Sequence, residues 1–323
     1  MNLILPAVLS VLSIVAIGYI ARKLNWITEG SDKGILKILI NILMPCLIFS
    51  SILNNKFITA SDNSYKAPLF GFLIATSTVF LTYLLSSSLF RFGVFKDPIA
   101  RRPFAVTTGL QNFGFVAIPI LFSLGHKDLL GLLMLHNAGV ELAVWTTLQL
   151  VFTGSLKLSN FKTLLNGPSI AIVLVMSLNF TGLAPHVPGF IVKSTSMLGQ
   201  AAIPLGIMLI GCTLYNCFQS KAFDLISKFE LIQTAVCANL VRSLILPLVL
   251  IYSIIYILPI STELRTILLI QASMPAAFFP IVLARLHNAR PEIAIAVASS
   301  SMLLSFFTIP YWIDFGLTLL GNK

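Results

Sequence analysis

Thr107-Thr108-Gly109-Leu110-Gln111-Asn112-Phe113-Gly114-Phe115-Val116-Ala117-Ile118-Pro119 and Gln271-Ala272-Ser273-Met274-Pro275-Ala276-Ala277-Phe278-Phe279-Pro280 each set glycine or proline among polar side chains in the middle of an apolar run. Proline has no amide hydrogen, so Pro119 frees the carbonyl of Phe115, and Pro275 and Pro280 free those of Gln271 and Ala276. Unpaired backbone in hydrocarbon is costly, so such a break survives only against protein or a wet cavity. Two breaks at equivalent depth predict a cavity between two interrupted, crossing helices. Each would bring a half-helix amino end and carboxyl end to the midplane, carrying about half a unit of positive and negative charge. The amides of Gln111 and Asn112 and the hydroxyl of Ser273 suit a carboxylate or a dehydrated ion. The alternative is a pair of simple proline kinks in packed helices.

The rest of the chain says that the surrounding solvent is lipid. Of 323 residues, 57% are hydrophobic and 10% charged, against about 25% charged in a soluble domain, and the mean hydropathy is +0.95. A soluble globular protein is excluded. With about 20 residues per span and about 10 per connection, the chain holds roughly ten transmembrane helices. Apolar windows place them near 3–21, 34–53, 67–90, 103–123, 129–153, 168–184, 190–217, 230–257, 264–284 and 293–318. The start has no basic region before its apolar run, and Arg22 and Lys23 follow it. This reads as a retained first span entering with its amino end outside, not as a cleaved signal. The net charge of +10 then reflects orientation, not nucleic-acid binding: fourteen of the 21 Lys and Arg fall on one set of loops and six on the other. By the positive-inside rule this is a multi-pass cell-membrane protein with both termini outside. Cys46, Cys212, Cys217 and Cys237 lie in apolar stretches without a CxxC pair and read as small core residues.

The halves look like copies. Asn41 four residues before Pro45 matches Gln200 four before Pro204, Pro6 matches Pro168, and Pro119 matches Pro280, at near-constant offsets. Five spans is an odd number, so a duplicated unit sits upside-down against its partner, giving an inverted repeat. The expected organisation is an all-α polytopic membrane protein of two inverted five-helix repeats, 1–153 and 168–323, joined by a cytoplasmic linker at 154–167.

Two formally charged residues lie deep in spans, Glu141 and Arg242. An intramembrane charge is by default functional or paired. Glu141 is the candidate proton carrier, with a structural role as its alternative; Asn137, four residues earlier, shares its helix face. Arg242 could hold a substrate carboxylate, neutralise Glu141 or cap a helix. His136 reads as a packed histidine, and the other histidines have no metal-ligand spacing. No HExxH pair, GxSxG elbow or phosphate-binding glycine loop is present, so no enzyme, cofactor or metal is expected.

These residues resemble the auxin efflux carrier family, which includes the plant PIN auxin exporters and bacterial permeases for malonate or malate. Gly18-Tyr19-Ile20-Ala21-Arg22 and Asn41-Ile42-Leu43-Met44-Pro45 look like its bacterial opening, and Asn112 with Pro119 like its fourth span. Arg242 with Pro247 looks like its eighth span. Pro275-Ala276-Ala277-Phe278-Phe279-Pro280, continuing to Arg285, Asn288 and Pro291, looks like its ninth span and following loop. The resemblance implies a scaffold from spans 1, 2, 6 and 7, a mobile core from 3 to 5 and 8 to 10, elevator-like alternating access and a homodimer. It also implies that Asn112, Pro119, Pro275 and Pro280 frame the substrate site. The candidate binding set is Gln111, Asn112, Phe115, Pro119, Ser273, Met274, Pro275 and Pro280, with Asn41 and Asn137; Glu141 and Arg242 are the coupling or charge-pair residues. The expected function is secondary transport of a small organic anion, a mono- or dicarboxylate, linked to a proton or driven by its own gradient. A sodium-coupled carrier of the bile-acid type and a membrane-embedded enzyme are the other classes.

Overall fold

A computed structural model describes residues 4–59, 62–155, 165–219 and 227–321. The two extreme termini and the middle of the linker expected at 154–167 lie outside the described residues. Within them the chain is helical, with one isolated β-bridge. Apart from short turns, the helices are α1 Ile4–Lys23, α2 Glu29–Ile52, α3 Asn63–Arg91, α4 Arg101–Gly109, α5 Ala117–Ser123, α6 Lys127–Thr153, α7 Gly167–Phe180, α8 Gly189–Phe218, α9 Lys228–Ile257, α10 Thr262–Ala272, α11 Phe279–Leu286 and α12 Pro291–Leu320. Seven of these, α1, α2, α3, α6, α8, α9 and α12, are long and apolar enough to cross a membrane. The stretches expected as spans four and nine are each divided, into α4 and α5 and into α10 and α11.

Local chemistry sets these bounds. The 20 residues of α1 reach about 30 Å, the thickness of a hydrocarbon core. Arg22 and Lys23 sit in its last turn, where cations oppose the negative helix end. Arg22 then bonds Asp32 near the start of α2, fixing the intervening turn. Asn25 closes that turn in the left-handed region at φ 57°, which asparagine tolerates better than most residues. Helix α2 begins at Glu29, before the apolar window near 34, because its first turn is polar and Thr28 N donates to Ser31 Oγ at 3.1 Å.

Proline shapes the long helices. Widened π turns at Leu39–Leu43 in α2 and Leu240–Ile245 in α9 immediately precede the turns containing Pro45 and Pro247. Such a turn gives room to a ring that would otherwise crowd the preceding carbonyls. Pro247 cannot donate to the carbonyl of Ser243, and that oxygen accepts from Trp312 Nε1 of α12 at 2.7 Å.

The helices pack as two bundles. In one, α1 lies along α8, while α2 packs on α7 and α8; in the other, α3 packs on α4 and α6, and α12 on α4 and α9. Without water to drive association, close approach of backbones holds such pairs. A Cβ on Gly18 of α1 would fall 2.0 Å from the Met208 carbonyl oxygen of α8, and one on Gly139 of α6 would fall 1.8 Å from that of Pro68 in α3. The bundles meet where α1 contacts α5 and α12, and where α2 contacts α6.

Candidate functional site

Between α4 and α5 the chain leaves the helix at Leu110, whose φ of −84° and ψ of 121° are extended. Between α10 and α11 it does so after Ser273. The two extended pieces cross antiparallel, with Gln111 opposite Ala276. Asn112 N donates to the Pro275 carbonyl at 2.7 Å, and Ala277 N donates to the Leu110 carbonyl at 3.0 Å. Each break therefore supplies part of what the other lacks, the antiparallel ladder pattern reduced to one rung. Ala276 N donates to Ser301 Oγ of α12 at 2.9 Å, so a third helix holds the crossing. Pro119 and Pro280 stand in the first turns of α5 and α11, where a missing amide hydrogen costs no intrahelical bond.

The carboxyl ends of α4 and α10 converge on Arg242, whose side chain is buried. Its Nη1 donates to the Gly109 carbonyl at 3.3 Å, and its Nε and Nη2 donate to the Met274 carbonyl at 3.1 and 2.9 Å. Among the described residues it forms no ion pair, with Glu141 or any other carboxylate. Of the three roles open to it in the sequence, its contacts are those of a cap, shared by two half-helices.

Beside the crossing lies a chain of amides. Gln271 Nε2 donates to the Phe113 carbonyl at 3.2 Å and to Asn137 Oδ1 at 3.0 Å. His136 Nδ1 is 3.2 Å from the same Oδ1. A backbone carbonyl accepts only, which fixes the Gln271 amide; its donor fixes Asn137 Oδ1 as acceptor, which requires the imidazole proton on Nδ1. Gln271 Oε1 and His136 Nε2 are then two buried acceptors without a donor among the described residues. With Gln111 they line one crevice, closed by Ile74, Leu250 and Ile254, that has no room for a water. The side-chain amides of Gln111 and Asn112 make no hydrogen bond among the described residues.

The other expected site residues are placed as follows. Ser273 Oγ donates to the Leu269 carbonyl at 2.9 Å, so its proton serves the end of α10. Met274 is buried and offers its carbonyl to Arg242. Phe115 lies against α8, where a Cβ on Gly206 would sit 2.5 Å from its ring. Asn41 is not at the crossing: its Nδ2 donates to the Lys37 carbonyl at 3.0 Å, and it lines a separate open groove of about 470 Å³ with Pro45, Phe49, Gly167 and Thr195. Glu141 Oε1 accepts from Asn166 Nδ2, and Asn166 in turn caps α7 by accepting from Ser169 N at 3.0 Å. That pair joins α6 of one bundle to α7 of the other. Sequence reasoning left out Gln271 and Ser301 and set His136 aside. Gln271 carried a signal, since it precedes Pro275 by four residues, the spacing of Asn41 to Pro45 and Gln200 to Pro204.

A family model described as membrane transport protein matches residues 3–157 and 149–313. An uncharacterized transporter of Methanocaldococcus jannaschii is 26% identical over 317 residues, 95% of this chain and 97% of its own length. Another, from Methanothermobacter thermautotrophicus, is 25% identical over 309 residues, 94% and 96% of the two chains.

Proposed function

Because the chain belongs to the membrane transport protein family, in line with its resemblance to the auxin efflux carriers, we propose that it is a secondary transporter of a small organic anion, a mono- or dicarboxylate, lodged at the crossing of its two broken helices. The observation that carries this reading is the pairing of Gln111 with Ala276 beside two side-chain amides that make no hydrogen bond among the described residues. Backbone that leaves the helix between apolar segments belongs to protein-lined or wet sites in membrane proteins. Here the two breaks pair with each other through main-chain atoms; the Asn112 amide is the group offered to a solute, with that of Gln111 beside it in a crevice that would have to widen to admit one. An amide N–H donates well to a carboxylate.

In this reading ten segments cross the cell membrane as two inverted repeats, 1–153 and 168–323, with both termini outside. α1, α2, α7 and α8 form a scaffold, and the second bundle is the moving core of an elevator. Among the contacts that would have to give as the core moves are Phe115 against Gly206 and Glu141 against Asn166. Glu141 lies where a proton could be exchanged for the Asn166 bond, and we assign proton linkage to it. A homodimer through the scaffold completes the proposal. Counterflow of labelled malonate, malate and indole acetate in proteoliposomes tests it: exchange of one of them is expected, and silence with all three refutes the carboxylate reading.

A further inference from the structure

Half-helix carboxyl ends at a membrane crossover are where transporters with broken helices coordinate a coupling cation, because unwound carbonyls and the negative ends of the dipoles face one point. In this protein that point is occupied by a side chain. We propose that Arg242 is a built-in counter-cation that stands in place of a coupled sodium ion, so that the carrier works without sodium. The inference rests on the transport reading and concerns the same site.

The geometry supplies three arguments. First, the charges match: two half-helix ends carry about half a negative unit each, or about one unit together, against one guanidinium. Second, the donors reach both ends, Gly109 behind α4 and Met274 behind α10, so a single group bridges the two broken helices as a coordinated ion would. A guanidinium presents its donors in a fixed fork, which suits two separated carbonyls better than a point charge does. Third, the group is fixed in place. Arg242 has 1% of its surface exposed. The turn bearing it is held by Trp312 Nε1 on the Ser243 carbonyl and, one turn earlier, by Asn239 Nδ2 on Ser300 Oγ at 2.8 Å. No carboxylate among the described residues competes for it. A cation that cannot leave cannot be co-transported, and it screens the carbonyls from one that could.

The test uses the purified full chain and three side chains at this position. Thermal unfolding is followed while sodium chloride is titrated against choline chloride at constant ionic strength. Wild type is expected to show no difference between the two salts; saturable stabilisation by sodium overturns the proposal. Arg242→Ala is expected to lose stability and to regain part of it with sodium, lithium or guanidinium ions but not with choline, which is too large for the vacated space. A variant as stable as wild type, or one that regains nothing from any of the three small cations, overturns it. A mere structural staple would not create a sodium response. Arg242→Lys retains the charge and serves if the alanine variant does not fold; it is expected to remain indifferent to sodium, and a new sodium response in it counts against the proposal. Malonate counterflow in sodium-free proteoliposomes separates the two readings. Absence of exchange with any carboxylate defeats the transport assignment while the salt titration still stands, and exchange that requires sodium defeats the built-in cation alone.

Discussion

Asn112→Ala separates a binding role from a structural one more cleanly than any other substitution at the crossing. The residue contributes to the fold through its main chain, donating N–H to the Pro275 carbonyl at 2.7 Å, and alanine keeps that bond. The residue is 9% exposed and its side chain has no hydrogen bond among the described residues, so its loss removes an amide that stabilises nothing in the fold. The stability change should stay within about 0.5 kcal/mol. For transport the arithmetic differs. A hydrogen bond from an amide to a carboxylate contributes about 1.5–3 kcal/mol, and about 1.4 kcal/mol is a factor of ten. Apparent affinity for the anion should therefore fall between about 10-fold and 150-fold. The assay is the concentration dependence of labelled malonate counterflow in proteoliposomes, run beside thermal unfolding of the same preparations. Full stability with a weakened apparent affinity is the expected pair. Unchanged affinity refutes the assignment of the amide to the substrate, and a large loss of stability refutes the claim that the side chain is idle in the fold.

Other substitutions test the framework around it. Gln271→Leu strands the part-buried Phe113 carbonyl without its donor and should cost about 1 kcal/mol in thermal unfolding; an unchanged midpoint would show that the amide chain bears no weight. Gly139→Ala drives a methyl to within 1.8 Å of the Pro68 carbonyl oxygen, and since backbone opposes backbone the loss should reach the upper part of the usual overpacking range of about 1–3 kcal/mol. Trp312→Phe removes the donor on the Ser243 carbonyl and should cost about 1 kcal/mol in wild type but less in a Pro247→Ala background, where the helix can supply an N–H of its own; equal losses in both would deny the link. Glu141→Gln keeps an oxygen for the Asn166 bond and removes only the charge, so the pH dependence of malonate exchange should vanish, and an unaltered pH profile would take the proton role away from this residue.

What could be read in the sequence is what composition writes down. Proline and glycine beside amides in an apolar run marked both breaks, because they are the residues that remove a helix bond or tolerate its absence; proline alone does not, since Pro68, Pro204 and Pro310 stand inside unbroken helices. The partners of Arg242 could not be read there. Backbone carbonyls belong to every residue, and their convergence at Gly109 and Met274 depends on how two helices cross, not on which side chains they carry. Asn41 stands away from the crossing. Its spacing to Pro45, read as a mark of a repeated unit, points to an equivalent helix and not to an equivalent site; the residue lines a groove among α2, α7 and α8. His136, which reads as a packed histidine, lies about 100° around the helix from Asn137, yet the ring reaches its neighbour's oxygen, which also accepts from Gln271.

The accounting at the crossing explains why the solute is harder to name than the fold. Leu110, Asn112, Pro275 and Ala277 pair through main-chain atoms, and three of these would pair the same way with other side chains attached. The side chains whose chemistry is already spent on the architecture are Arg242, Ser301, Gln271 and Ser273. The side chains of Gln111 and Asn112 make no hydrogen bond among the described residues. In the proposed reading, fold and selectivity are carried by different atoms at the crossing: changing an architectural side chain should cost stability first, whereas changing the Gln111 or Asn112 amide should alter which anion is carried before it alters anything else. A chain built in this way can keep one crossing while its solute drifts, which is the reason that 26% identity to a relative is ample for the helices and silent on the ligand.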